Sequence, residues 1–328
     1  MERFKNLIHP TAHSLALLLG LAVPAAAQDL YPVKPVHIIV SYGPGGAIDV
    51  VTRIIAEPMA RMLGQRVVVE NKPGAGSTIA AEAVARATPD GYTLLVTGTA
   101  HAVMRELYPQ ATVDGARDFA PISHLGNMPF VLAVHPSLPV TDFAGFVAYV
   151  TANPGKIDVG SAGPGSSSDL GVLLFAKMAG LDIVRVPYHS TPEAMNGLVA
   201  GEIGFMLDSQ NVLAPQVRSG ALRGLAVSLL VRSRQLPELP TLDELGLAGF
   251  EASSWQVMLA PARTPPAIIA KLTEAVAAAL ADPGVQQRYD ALGYQVPAKI
   301  GPASLTEFLA RETAKWAPLA KQSGGAGG

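Results

Sequence analysis

The 328-residue chain has no cysteine. That excludes disulfides, thiolate metal sites and a cysteine-linked lipid anchor. Charge is also scarce, at 15% Asp, Glu, Lys and Arg, and almost balanced at a formal −2, one unit more negative once Glu2, Arg3 and Lys5 are removed. A nucleic-acid footprint needs a basic excess that is absent here. The histidines show neither H-x-x-x-H nor H-E-x-x-H spacing, so the sequence offers no zinc site and implies no cofactor. Nothing approaches the ~20 uninterrupted apolar residues of a transmembrane helix, which excludes stable membrane insertion.

What is present begins with an export signal. Arg3 and Lys5 precede an apolar stretch from Leu15 to Val23, and Ala25-Ala26-Ala27 supplies a small-residue cleavage site, so residues 1–27 read as a signal peptide cut before Gln28. The whole chain is 49% hydrophobic, and the part after the signal is long enough for two domains without staples.

Four times a short β-branched run empties into a loop of Gly, Ser, Thr or Pro that opens a helix. Val36 to Val40 leads into Gly43–Asp49, Leu94 to Val96 into Thr97-Gly98-Thr99, Ile157 to Val159 into Ser161–Ser168, and Ile183 to Val186 into Pro187–Thr191. Such loops hold anions, because unpaired N–H groups and the positive helix end converge there. One loop is not enough. A helix end contributes ~0.3 to 1 kcal/mol to an exposed anion and ~2 when partly buried, whereas micromolar binding needs about 8 kcal/mol. Three or four converging loops, with charge-assisted bonds of ~1.5 to 3 kcal/mol each, can reach it.

Around these loops strand and helix patterns alternate. The first region reads β-α-β-α-β: Val36–Val40, a helix capped by Asp49 and stopped by Gly64, Val67–Glu70, a helix opened by Ser77, and Tyr92–Val96. Alternation restarts after Asn127 with strands at Phe130–Val134, Ile157–Val159, Ile183–Val186, Ile203–Leu207 and Leu222–Val227 and helices between. The final third is helical, with a capping box at Ser304 and Glu307 and a Gly324–Gly328 tail expected to be disordered. The pattern predicts an α/β fold of two lobes, each a mainly parallel sheet flanked by helices, with a ligand cleft between them. Residues 28–128 and 254–328 form lobe 1 and 129–253 lobe 2, the crossings being extended segments near Leu125 to Phe130 and Glu251 to Met258. No tandem repeat at a fixed period is evident, although the lobes can share a fold.

Gly43–Asp49 is neither G-x-G-x-x-G nor a GK[ST] loop. The catalytic alternative is an exported esterase or amidase using a serine of Ser166–Ser168 with His101 or His189 as base. No G-x-S-x-G elbow surrounds those serines, and a serine-rich turn is more often a cap than a nucleophile. Asp169 and Asp208 follow elements that face the expected cleft, and each can either cap a helix or receive a ligand donor.

Tyr31-Pro32-x-Lys34-Pro35, Pro44-Gly45-Gly46-x-x-Asp49, Val68-Val69-Glu70-Asn71-x-Pro73-Gly74-Ala75-Gly76 and Pro89-Asp90-Gly91-Tyr92-Thr93-Leu94 resemble the Bug family, periplasmic receptors of tripartite tricarboxylate transporters. Asp118-Phe119-Ala120-Pro121, Ser161-Ala162-Gly163-x-Gly165-Ser166, Val186-Pro187-Tyr188 and Leu236-Pro237-x-x-Pro240-Thr241 continue the likeness over essentially the whole mature chain. The resemblance implies a type II-like periplasmic binding protein, a monomer without enzymatic activity, that closes by hinge motion on a small carboxylate-containing solute and delivers it to membrane transporter subunits. A sensor role toward a membrane kinase needs the same pocket. Carried onto this chain, the ligand-binding set is Gly45, Gly46, Ala47, Ile48, Thr97, Thr99 and His101 from one lobe. The other lobe contributes Gly165, Ser166, Ser167, Asp169, His189, Ser190 and Asp208. Two departures from the family pattern, Asp169 and His189, make an amino acid or monocarboxylate more plausible than a second anionic group on the ligand.

Overall fold

The structure is a computed structural model that describes residues 31–322. The signal-peptide and C-terminal-tail expectations therefore lie outside the described residues. In chain order the elements are β1 (Val36–Val40), α1 (Ala47–Leu63), β2 (Val67–Asn71), α2 (Thr78–Ala85), β3 (Thr93–Thr97), a 3-10 turn (Thr99–Val103) and α3 (Met104–Leu107). Then follow β4 (Phe119–Val134), α4 (Phe143–Ala152), β5 (Asp158–Ser161), α5 (Ser167–Ala179), β6 (Val184–Pro187), α6 (Thr191–Ala200), β7 (Phe205–Ser209) and α7 (Gln210–Arg218). The chain closes with β8 (Arg223–Val227), β9 (Ser253–Pro261), α8 (Pro266–Ala281), α9 (Pro283–Leu292) and α10 (Pro302–Ala320).

Strands β2-β1-β3-β9-β4-β7-β5-β6 form one path, with β8 also on β4. β1 is parallel to β2 and β3, and β5 is parallel to β6 and β7, as β-α-β crossovers require. β4 joins the two halves. Its first part pairs antiparallel with β9 as far as Pro129 opposite Ser253, and from Phe130 onward it pairs with β7. The two extended crossings expected from sequence are thus long paired strands. Hydrogen bonding continues through the junction instead of breaking into free linkers.

The two halves repeat each other. β2-β1-β3-β9 in one corresponds to β6-β5-β7-β4 in the other. The sequence repeats with them: Ser41-x-Gly43-Pro44-Gly45-x-x-x-Asp49 recurs 120 positions later as Ser161-x-Gly163-Pro164-Gly165-x-x-x-Asp169. That corrects the reading that no fixed-period repeat exists. Only nine positions carry it, too few to emerge from hydrophobic periodicity.

Each half has its own core. In one, Phe146 and Phe205 meet edge to face at 5.0 Å between centroids, within a cluster that includes Phe130, Phe175 and Phe250. In the other, Trp255, Val257 and Leu259 of β9 pack with Phe119 and Leu305. Buried Glu312 on α10 accepts from the indoles of Trp255 (2.7 Å) and Trp316 (2.6 Å) and pairs with Lys315. A single carboxylate thereby fixes the last helix to β9.

Three helix starts differ from expectation. Asp49 does not cap α1, because Gly46 holds the N-cap position and Asp49 lies inside the first turn. Ser166, not Asp169, caps α5, accepting from Asp169 N–H. Ser304 does not form a capping box; its hydroxyl donates to the Gly301 carbonyl, one turn into α10. Asp142, by contrast, caps α4 through Gly145 N–H at 2.8 Å.

Candidate functional site

The four glycine- and serine-rich loops all leave the carboxyl ends of strands, as open α/β sheets require of a ligand site. In the first half, Ser41 Oγ donates to Thr97 Oγ1 at 3.0 Å, and Ile48 packs on Gly98, which ties the β1 and β3 loops together. In the second, Tyr188 N–H donates to the Ser161 carbonyl at 2.9 Å, and Thr191 Oγ1 donates to Asp208 at 3.1 Å. The β5, β6 and β7 ends therefore converge as well. Leu107 of α3 reaches from the first half to lie against Gly165 of the second.

The loops are built alike. Gly45 and Gly165 take positive φ, at +78° and +73°, where a side chain is strained. That turn aims each N–H inward at a carboxylate four residues on: Gly45 N–H donates to Asp49 at 2.9 Å and Gly165 N–H to Asp169 at 3.0 Å. Both carboxylates are buried and neutralised. Asp49 receives Arg53 at 2.9 Å and Asn71 at 2.9 Å, and Asp169 receives Arg185 at 2.7 Å. Burial pushes the Asp49 carboxyl up, but its bonds to Arg53, Gly45 and Asn71 outweigh this and hold it below the usual range. Asp49 and Asp169 are loop braces. The structure gives Asp169 to Arg185 and its own loop, so the departure seen in sequence at this position does not by itself add a free negative charge to the cleft.

Gly46, Ala47 and Ile48 begin α1 with no side-chain cap on their amides. An α-helix leaves its first four N–H groups without an intrahelical partner, so this end is open to an anion. Thr99 Oγ1 is buried with no partner among the described residues. In the second half, Ser166 and Ser167 open α5, and Ser190 caps α6 by accepting from Glu193 N–H at 3.3 Å. His189 sits in an exposed turn whose N–H donates to Glu193. Asp208 is buried at the end of β7, accepting Thr191 Oγ1 and, at 2.6 Å, Ser209 N–H. Burial pushes its carboxyl up, against the opposing pull of the Ser209, Ser168 and Thr191 bonds.

The His101 side chain turns away from the loops. Its Nε2 bonds the Gly115 carbonyl at 3.1 Å, its ring meets Phe119 edge to face at 5.3 Å, and it lines a cavity of about 540 Å³ with Met104, Leu259 and Leu309. None of that cavity's walls belongs to the four loops. Burial lowers the His101 pKa to about 4, so the ring is neutral and serves packing.

Among the described residues neither Ser166 Oγ nor Ser168 Oγ has a histidine partner. Ser166 Oγ accepts Asp169 N–H and Ser168 Oγ accepts Ala162 N–H, so both hydroxyls are engaged as caps. Among the described residues no three His, Asp or Glu side chains are grouped to hold a metal. Sequence reasoning missed Asn71, Arg53 and Arg185 as braces, and Tyr294 beside the start of α1. Tyr294 Oη donates to the Ala47 carbonyl at 2.9 Å, from a position 247 residues away. Only the fold reveals it.

These features, two repeated α/β halves joined by long strands with helix-opening loops at the carboxyl ends of their parallel strands, define the periplasmic binding protein fold. The chain belongs to the tripartite tricarboxylate transporter family receptor family, which its residues 51–324 match. It is a solute-binding receptor and not an enzyme, which sets aside the hydrolase alternative. It is 34% identical over 307 residues to Protein BugT of Bordetella pertussis, covering 93% of this chain and 94% of that one. Its fold matches MatC of Rhodopseudomonas palustris with bound malate at TM-score 0.77 and 34% identity, covering 88% of this chain and 100% of that one. An R. palustris protein solved with adipate matches at TM-score 0.79 and 31% identity, covering 89% of this chain and 98% of the other. No helix among the described residues is long and apolar enough to cross a membrane.

Proposed function

We propose that the protein is a periplasmic receptor that captures a small carboxylate-containing solute between two lobes and presents it to the membrane subunits of a tripartite transporter. The repeated Ser-x-Gly-Pro-Gly-x-x-x-Asp loops carry this reading, because each sets a helix N-terminus, that of α1 or of α5, at the carboxyl end of a strand. Gly45, Gly46, Ala47, Ile48, Thr97 and Thr99 contribute from lobe 1. Gly165, Ser166, Ser167, Ser190 and Asp208 contribute from lobe 2. The lobe limits at 128/129 and 253/254 are supported by the change of β4 from its β9 to its β7 partner between Pro129 and Phe130. Closure about that junction follows the hinge logic of two-lobed binders. Export to the periplasm agrees with the solved periplasmic proteins it resembles, and the receptor acts as a monomer. The malate and adipate bound by the solved R. palustris proteins support a carboxylate.

A thermal-shift screen over carboxylates, amino acids and aromatic acids tests the proposal. A ligand at 100 times its Kd adds about 2.7 kcal/mol of stability. A shift with one carboxylate that its methyl ester does not give is the expected result. No shift with any carboxylate contradicts it.

A further inference from the structure

Two segments far apart in sequence meet beside the place where β4 changes partner. One is the end of α9: Gln295, just past that helix, exchanges both main-chain bonds with Asn127 of β4 at 2.9 Å, shortly before the junction at Pro129. The other is the connection between β8 and β9, which carries Arg234 and Gln235. By the lobe limits above, the first belongs to lobe 1 and the second to lobe 2. A groove of about 550 Å³ is lined by both, with Val231 and Arg232 from the connection and Gln286 and Val296 from the α9 segment.

Gln235 bridges the two segments. Its Nε2 donates to the carbonyls of Asp290 at 2.9 Å and Ala291 at 2.7 Å. Both carbonyls lie in the last turn of α9, where an α-helix leaves its C=O groups without intrahelical donors, so a side-chain amide of one lobe caps a helix of the other. Gln210, the fully buried first residue of α7, steadies that amide, its Nε2 donating to Gln235 Oε1 at 3.4 Å. The close approach depends on Gly293, because a Cβ there would overlap Gln210 Nε2. Arg234 also pairs with Asp290 at 3.2 Å, but both side chains are exposed, and such a pair contributes little.

The clasp lies toward the carboxyl ends of the strands. Gln210 directly follows β7, and Tyr294, between Gly293 and Gln295, donates to the carbonyl of Ala47 in the first turn of α1. We infer that Gln235 is a positioning residue: its amide holds lobe 2 to the end of α9 and thereby sets the spacing at which the loops of the two lobes face each other. The inference rests on the two-lobed reading above and adds to it what restrains the lobes before a solute arrives. Strands β4 and β9 by themselves would permit a range of angles between the lobes. Two bonds placed beside the hinge narrow that range, which lowers the ordering cost of capture.

Distances between two spin labels, measured by double electron-electron resonance on the solute-free protein, test this. The chain has no cysteine, so Ile79→Cys in lobe 1 and Asn196→Cys in lobe 2, both at exposed positions, take one label each. With Gln235 in place the expected result is one narrow distribution. Gln235→Glu keeps the shape of the side chain, removes the donor and sets an anion against two carbonyls, so the distribution should become about twofold broader and extend to longer distances. Gln235→Ala should do the same. Gln235→Lys, whose ammonium still donates and suits a helix C-terminus, should stay narrow. A broad distribution with Gln235 present overturns the inference. So does one that Gln235→Glu and Gln235→Ala leave unchanged in variants whose melts show them folded, or one that Gln235→Lys broadens equally. Because no solute enters the measurement, a silent carboxylate screen overturns the receptor reading and leaves this result to stand or fall by itself.

Discussion

Leu107 lies directly against Gly165, so a residue from the first half of the sheet fills the space a Cβ would need in the anion loop of the second. Gly165 also holds φ at +73°. Gly165→Ala therefore combines backbone strain with a clash, and is expected to destabilise by about 2 to 4 kcal/mol. Adding Leu107→Ala should recover the clash component and leave the strain, as urea titration of the double variant would measure. Full recovery by Leu107→Ala, or no effect of Gly165→Ala alone, contradicts this geometry.

Gly46 presents the opposite case. A Cβ there meets only the Gly43 carbonyl at 3.5 Å, an ordinary contact, and the residue has φ −71° and ψ 166°, which any side chain adopts. Gly46→Val should fold with a melting temperature within a few degrees of wild type. Its branched side chain would nonetheless stand over the open N-terminus of α1, and carboxylate affinity should fall at least 10-fold. Paired calorimetry and thermal melts check both halves of the statement. Equal losses in the two would mark the loop as merely structural.

Asp49 is expected to lend the first loop its acid sensitivity. Its folded pKa lies below its unfolded value, so its stabilisation is complete above the unfolded carboxylate range and is lost as pH falls through the folded value. Asp49→Asn removes the charge-assisted bonds from Arg53 and Gly45, at a cost of about 1 to 3 kcal/mol at neutral pH. The difference between variant and wild type should shrink below pH 4. A difference that stays constant down to pH 2 would sink the assignment.

Two buried histidines make a second pH signature at higher pH. Burial lowers the pKa values of both His101 and His124 to about 4. The unfolded chain takes up protons below the ordinary histidine value of about 6.5 while the folded chain does not, so stability is full above pH 6.5 and declines as pH falls toward 4. Each site accounts for roughly 3 kcal/mol at most across that window. Chemical denaturation from pH 7.5 to 4 should show this slope in wild type and a shallower one in His101→Gln. An unchanged slope in that variant would place the proton uptake elsewhere.

Glu312 should prove the costliest single contact outside the site. Glu312→Ala leaves the Trp255 and Trp316 indoles without their buried acceptor. The expected loss is about 2 to 5 kcal/mol, while Glu312→Gln keeps one acceptor oxygen and loses less. Identical losses for the two substitutions, measured by denaturation, would mean the carboxylate bonds contribute little.

Much of this architecture is legible in local sequence, because β-branched runs, glycine turns and capping serines act over a few residues. Val36–Val40 is where the pattern puts it, and the Pro187–Thr191 loop does open a helix, α6. What the sequence hides is long-range. Asp49 reads as a cap because aspartate favours that position, yet the free N-cap belongs to Gly46 and the carboxylate turns back to Gly45 and Arg53. Loop proximity alone made His101 a candidate; the structure turns it instead toward Phe119 and Gly115. The segment from Thr99 to Leu107 carries no turn signal, and its folding into a 3-10 turn and a short helix is imposed by packing against both halves.

The central claim is that open main-chain amides at the start of α1 hold the carboxylate of a small solute while the Gly165 loop closes over it. A crystal structure with the solute found by thermal shift tests this most directly. The account predicts a carboxylate oxygen within about 2.7 to 3.2 Å of the Gly46 or Ala47 amide, with Ser166 or Ser167 within one water of the same ligand. A solute seated elsewhere, with those amides bonded to the chain's own groups, would contradict it.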